Sequence, residues 1–133
     1  MVTHLDGDRI RVQVRGHEIV VDQPIESGGH DTGPTPVELF VASLATCVAH
    51  YARGYLHRHH LPEAPIEVQA VWSMAASPVR VADVELDLRV PTDIPAERLN
   101  GLHAVASHCT VHNSLTSPPD VRLRVSLTQA DAA

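Results

Sequence analysis

The chain has 133 residues, 44% of them apolar, with 16 acidic against 10 basic side chains and a net charge of −6. One domain is the expected count at this length, and such a chain buries roughly two thirds of its unfolded surface. An acidic chain with no Lys/Arg run is a poor match for nucleic acid or an anionic membrane, so neither is expected as a partner. No charged segment followed by an apolar core opens the sequence, so no secretory signal is visible and a cytoplasmic location is expected. Two cysteines in that setting read as reduced thiols or a redox pair, not as a structural disulfide framework.

In chain order, Arg9–Arg15 (RIRVQVR) alternates, with Ile10, Val12 and Val14 on one face. His17–Gln23 (HEIVVDQ) is a second β-rich run, and the Arg15-Gly16 step between them suits a tight hairpin. Pro24 closes this N-terminal hairpin, residues 1–24. Ser27–Pro36 is a Gly/Pro-dense loop leading into the central element.

That element spans Thr35–His57 (TPVELFVASLATCVAHYARGYLH), within a helix expected over 35–60. Thr35 is a good N-cap, Pro36 fits the first helical position, and Glu38 completes a capping-box pattern three residues after the cap. From Pro36 to Ala52 the only formally charged residue is Glu38, and apolar side chains fall on nearly every face. Such a helix needs cover all round or a membrane. Glu38 and His50 interrupt a run already short for a membrane span. One chain of this size has too little material to wrap the helix, so a homodimer is expected.

Pro62 forbids continuation of the helix, and His57, His59 and His60 crowd its C-terminal end. Ile66–Ala75 and Val81–Val90 alternate as a strand pair joined through Ser-Pro. Pro95–Ser107 returns to helical period, with Leu99, Leu102, Val105 and Ala106 on one face. Asn113–Asp120 (NSLTSPPD) reads as a break, 120–129 as the last strand, and 130–133 as a disordered tail. The expected order is ββ-α-ββ-α-β, a single α+β domain over 1–133 with an antiparallel sheet packed on a long buried central helix.

Both cysteines occur as Cys-x-x-His, Cys47 with His50 and Cys109 with His112. A thiol with an ordinary pKa of about 8.5 is only roughly 3% thiolate at neutral pH, whereas a pKa of about 6 makes it about 90%. Cys47 lies about three turns into the helix, too deep for the N-terminal dipole to activate it. A positive side chain is needed. His50, at i+3, is one candidate, and an arginine of the first hairpin is another. Phe40, Leu44 and Tyr51 would give an apolar wall suited to a greasy substrate. A second chemistry is available to the same residues: Cys47, His50, Cys109 and His112 could make a tetrahedral zinc site.

The stretch GGHDTGPTPVELFVASLATC, followed some sixty residues later by HCTVHNSL, resembles the OsmC/Ohr family of osmotically inducible and organic hydroperoxide resistance proteins. The resemblance implies an intertwined α+β homodimer with the two central helices packed together and sites at the dimer interface. It implies thiol-dependent reduction of organic hydroperoxides, with a dithiol as reductant and no organic cofactor. In that scheme Cys47 matches the peroxidatic cysteine and Cys109 the resolving one. The family arginine comes from the first strands, which makes Arg9 or Arg11 its counterpart. Ohr members carry a functional glutamate ten residues before the first cysteine, where this chain has Val37. Glu38, one residue later, matches many OsmC-like relatives. An alternative is a family member that keeps the fold and binds a small apolar or electrophilic ligand with little turnover.

Overall fold

The computed structural model describes residues 1–128. Three strands open the chain: β1 (Val2–Asp6), β2 (Arg9–Val14) and β3 (His17–Val21), an antiparallel sheet in that order. The sequence reading finds β2 and β3 but not β1, because Val-Thr-His-Leu-Asp lacks clean period-two alternation. Its one signal is the Asp6-Gly7 step, a turn in which Gly7 takes a positive φ of 49°. Register aligns Val2 with Val12 and Ile19, and Ile10 with Val21, giving the sheet one apolar face. Arg11 and Gln13 fall on the other.

Helix α1 (Pro36–Arg58) starts as the sequence dictates. The Glu38 N–H donates to the Thr35 hydroxyl at 3.1 Å, and the Thr35 N–H donates to the Glu38 carboxylate at 2.8 Å. Both halves of the capping box are therefore made. The helix stops before Pro62 is reached, at His59 and at His60, whose φ is 54°. Its buried residues are Val41, Leu44, Val48, Ala52, Tyr55 and Leu56, a single stripe at three- and four-residue spacing. Ala42, Ser43, Thr46 and His50 are exposed on the opposite side. One chain thus lays a single layer against α1 and leaves its other face open, in keeping with the expectation that a chain of this size cannot wrap the helix alone.

That layer consists of β4 (Glu67–Ala75) and β5 (Arg80–Arg89), a separate antiparallel pair, with α2 (Leu99–Ala106) and α3 (Thr110–Thr116). The main packing contacts of α1 are with these four elements, while the N-terminal sheet touches the helices only marginally. Two apolar clusters result. One joins Ala52, Tyr55 and Leu56 to Ile94 and Leu102; the other joins Leu44 and Val48 to Ala106 and Cys109.

Helix α3 corrects the expected break over 113–116, while 117–120 break the structure as expected. Cys109 is its N-cap, the sulfur accepting the His112 N–H at 3.4 Å. Ser114 and Thr116 donate their hydroxyls back to the Thr110 and Asn113 carbonyls, so residues that favour turns are accommodated in two short turns of helix. Residues 118–128 have no regular structure. The expected strand over 120–129 has no ladder partner within the described chain, although Val121, Leu123, Val125 and Leu127 alternate and are almost fully exposed. The final residue of that expected strand and the expected tail, 130–133, lie outside the described residues. The described elements make an α+β chain with antiparallel sheets, in the order β-β-β-α-β-β-α-α.

Candidate active site

Helix α1 carries Cys47 toward the α2–α3 junction, where Cys109 caps α3. Cys109 is fully buried and Cys47 is partly exposed; both are free thiols. The two side chains pack in one apolar cluster with Leu44, Val48, Ala106 and Val111. Burial pushes the Cys109 thiol pKa up, the His112 N–H offsets part of that, and the Cys47 sulfur pushes it up further. Cys109 is thus held as a neutral thiol in the resting state. Cys47 is the more accessible sulfur of the two.

The other sequence-derived candidates are distributed unevenly around this pair. Glu38 is spent on the helix cap, nine residues before Cys47 and hence about 13.5 Å away along the axis. His50 is exposed, not a core histidine, and sits edge-on to Tyr51 with ring centroids 5.9 Å apart. Arg9 is engaged by Asp6, its Nε donating at 2.9 Å and a second nitrogen pairing with the other carboxylate oxygen. Arg11 differs: its Nε is buried and has no hydrogen-bond partner among the described residues. Neither arginine is brought to Cys47 by its own chain through more than marginal contact of sheet and helix.

Of the expected apolar wall, Leu44 is buried and Tyr51 is packed in the cysteine cluster, while Phe40 is 39% exposed. Phe40 and Leu44 line a groove of about 370 Å³ that shares His112, Val84 and Leu86 with a second groove of about 410 Å³ beside α2. Among the described residues no group of three or more His, Cys, Asp or Glu side chains is arranged to hold a metal ion. The four side chains of the zinc alternative are therefore not gathered into a site.

Two features escaped the sequence reading. Asp22, at the end of β3, is fully buried and accepts from the N–H groups of Gln23, His30 and Thr32 and from the Thr32 hydroxyl at 2.7 Å. Burial alone would raise its pKa, but the Thr32, Gln23 and His30 donors outweigh it and hold the carboxyl at about 2. One carboxylate thereby shapes the loop that delivers the chain to Thr35. Gly33 completes the shape, since a Cβ there would overlap the Val20 carbonyl oxygen. An aspartate at a strand end before a Gly-rich loop was the available signal. The second feature is Tyr51, whose hydroxyl bonds Thr110 Oγ1 at 2.6 Å; two residues so far apart in sequence leave no local pattern.

A long capped helix brings one thiol beside another in an α+β chain with two separate antiparallel sheets. The model of the OsmC-like protein family matches residues 29–124, and the chain belongs to that family. No curated protein sequence matches it. Among solved structures it is similar to a Psychrobacter arcticus protein described as a candidate osmotic stress induced and detoxification response protein, with 22% identity, coverage of 86% of this chain and 85% of that one, and a TM-score of 0.79. It is also similar to an OsmC-like protein of Mycoplasma pneumoniae, at 15% identity, 83% and 80% coverage and a TM-score of 0.71. An organic hydroperoxide resistance protein, OsmC, from Legionella pneumophila matches at 22% identity over 96% of both chains, with a TM-score of 0.68. At these identities the structural likeness shows the fold. Among the described residues no helix is long and apolar enough to cross a membrane.

Proposed function

We propose that this chain is a cysteine-based peroxidase acting on organic hydroperoxides. The observation that carries the reading is the pairing of a reachable thiol, Cys47, with a fully buried one, Cys109, in an apolar cluster. The Cys47 thiolate attacks the terminal peroxide oxygen; the O–O bond breaks, the alkoxide leaves and is protonated to an alcohol, and Cys47 becomes a sulfenic acid. The Cys109 thiol then attacks the sulfenic sulfur, forming the disulfide and releasing water. A dithiol reductant returns both cysteines to thiols, a cycle suited to the cytoplasm, where such thiols are kept reduced.

Arg11 is the cation we assign to the Cys47 thiolate, because its buried Nε is unspent while Arg9 is held by Asp6. His50 and Glu38 receive no step. The reading includes a homodimer. The open face of α1, the apolar face of the N-terminal sheet and the exposed alternation of 121–127 each suit cover by a second copy, which would also bring the arginine. Leu44 and Val48, packed in one cluster with Cys47, support an apolar peroxide over hydrogen peroxide.

Single substitutions test this. Reduced Cys47→Ser should lose hydroperoxide turnover and form no sulfenic acid. Cys109→Ser should undergo one oxidation, trapped by dimedone as an adduct on Cys47, and then stop. Unchanged turnover in Cys47→Ser would overturn the proposal and favour ligand binding by the same fold.

A further inference from the structure

The two cysteines lie on different elements, one on α1 and one at the cap of α3. The disulfide needs the sulfurs at about 2.05 Å with strict torsional geometry. Helix α3 is a seven-residue helix followed by irregular chain, and Val111 on it packs in the cysteine cluster. A second tie spans the same two elements one turn further along. Tyr51 stands four residues after Cys47, on the same face of α1, and Thr110 directly follows Cys109. Their hydroxyls meet at 2.6 Å. The Tyr51 ring also packs in the cluster that holds Cys109.

We infer that the Tyr51–Thr110 hydrogen bond is a positioning clamp that sets Cys109 against Cys47 and so fixes both the rate of disulfide closure and the stability of the disulfide. This rests on the pairing of Cys47 with Cys109 in the proposed function, but not on the peroxide step. The clamp touches no reacting atom and acts by holding the capping residue in register, so its removal affects the second chemical step and leaves the first unchanged. A hydrogen bond of this kind contributes a factor of roughly three to ten in the effective concentration of one thiol near the other.

The test equilibrates reduced protein with glutathione redox buffers, where glutathione disulfide takes two electrons and two protons from the protein dithiol, and then follows closure after a single addition of cumene hydroperoxide. Tyr51→Phe and Thr110→Val should each lower the equilibrium constant for disulfide formation by roughly three- to tenfold, the upper figure being about 30 mV for this two-electron couple. In Thr110→Val, dimedone trapping at Cys47 should be unchanged in rate, while loss of the Cys109 thiol slows by a similar factor. Thr110→Ser, which keeps the hydroxyl, should restore both values, and Tyr51→Phe/Thr110→Val should be no worse than either single change. If the buffers show an unshifted potential in folded Tyr51→Phe, the clamp is overturned. The same follows if Thr110→Ser fails to restore closure. Should wild-type protein form its disulfide in the buffers but ignore the hydroperoxide, the peroxidase reading fails and the potentials still decide the clamp. If wild-type protein forms no disulfide in any buffer, both fall.

Discussion

Two regions of this chain are built to different degrees of self-sufficiency. The helical body, α1 with α2, α3 and the β4–β5 pair, closes two apolar clusters and holds both thiols with its own residues. The N-terminal sheet has complete internal ladders but leaves Val2, Val14 and Ile19 exposed, and its contact with the helices is marginal. Ladder hydrogen bonds fix a sheet's shape, whereas its stability comes from the surface it covers. The two thiols are therefore brought together by the body, and Arg11, the cation proposed to activate Cys47, is carried by the part that needs a further surface.

The contrast can be broken from the body's side first. Leu56 is fully buried in the cluster of Tyr55, Ile94 and Leu102, so Leu56→Ala should cost about 2–5 kcal/mol in denaturant unfolding. A change near zero would mean that the body is not the stabilising unit. From the sheet's side, Arg11→Met should slow Cys47 oxidation by roughly ten- to thirtyfold through the lost thiolate fraction, with the melting curve little altered. Arg9→Met should stay within about twofold, since Arg9 serves Asp6. The reverse ranking in stopped-flow oxidation would exchange the two arginines.

The hinge between the regions makes a smaller demand. Asp22 has a folded-state pKa of about 2 against an ordinary 3.8, so the stabilisation it gives is whole above the ordinary value and is lost as pH falls through about 2. Asp22→Asn should lower the melting temperature by several degrees at neutral pH, and the gap to wild type should close in acid. A gap that stays constant from pH 7 to pH 2 would remove the carboxylate from this role. The smallest effect belongs to the exposed Asp120–Arg122 pair, where Asp120→Asn should leave thermal melting unchanged.

The sequence carried the parts whose causes are local. Thr35, Pro36 and Glu38 announce α1, period-two runs announce β2 to β5, and paired Cys-x-x-His motifs mark both sulfurs. Long-range satisfaction was not legible. Nothing near Asp22 says that it will collect donors from His30 and Thr32, and nothing near Tyr51 names Thr110. The α3 helix was hidden because Asn, Ser and Thr favour turns until a capping sulfur and back-donated hydroxyls tip the balance. Residues 121–127 show the opposite limit, since alternation specifies a strand only when an edge is available to pair with it.

In the proposed cycle Cys47 and Cys109 act in sequence on an organic hydroperoxide. Fully reduced protein should be mixed with cumene hydroperoxide, and separately with hydrogen peroxide, while free thiols are followed from milliseconds to seconds. Rapid loss of both thiols with the organic substrate, a Cys47–Cys109 disulfide in the peptide map, and slower loss with hydrogen peroxide are expected. Thiols that persist for minutes with the organic hydroperoxide would contradict that cycle.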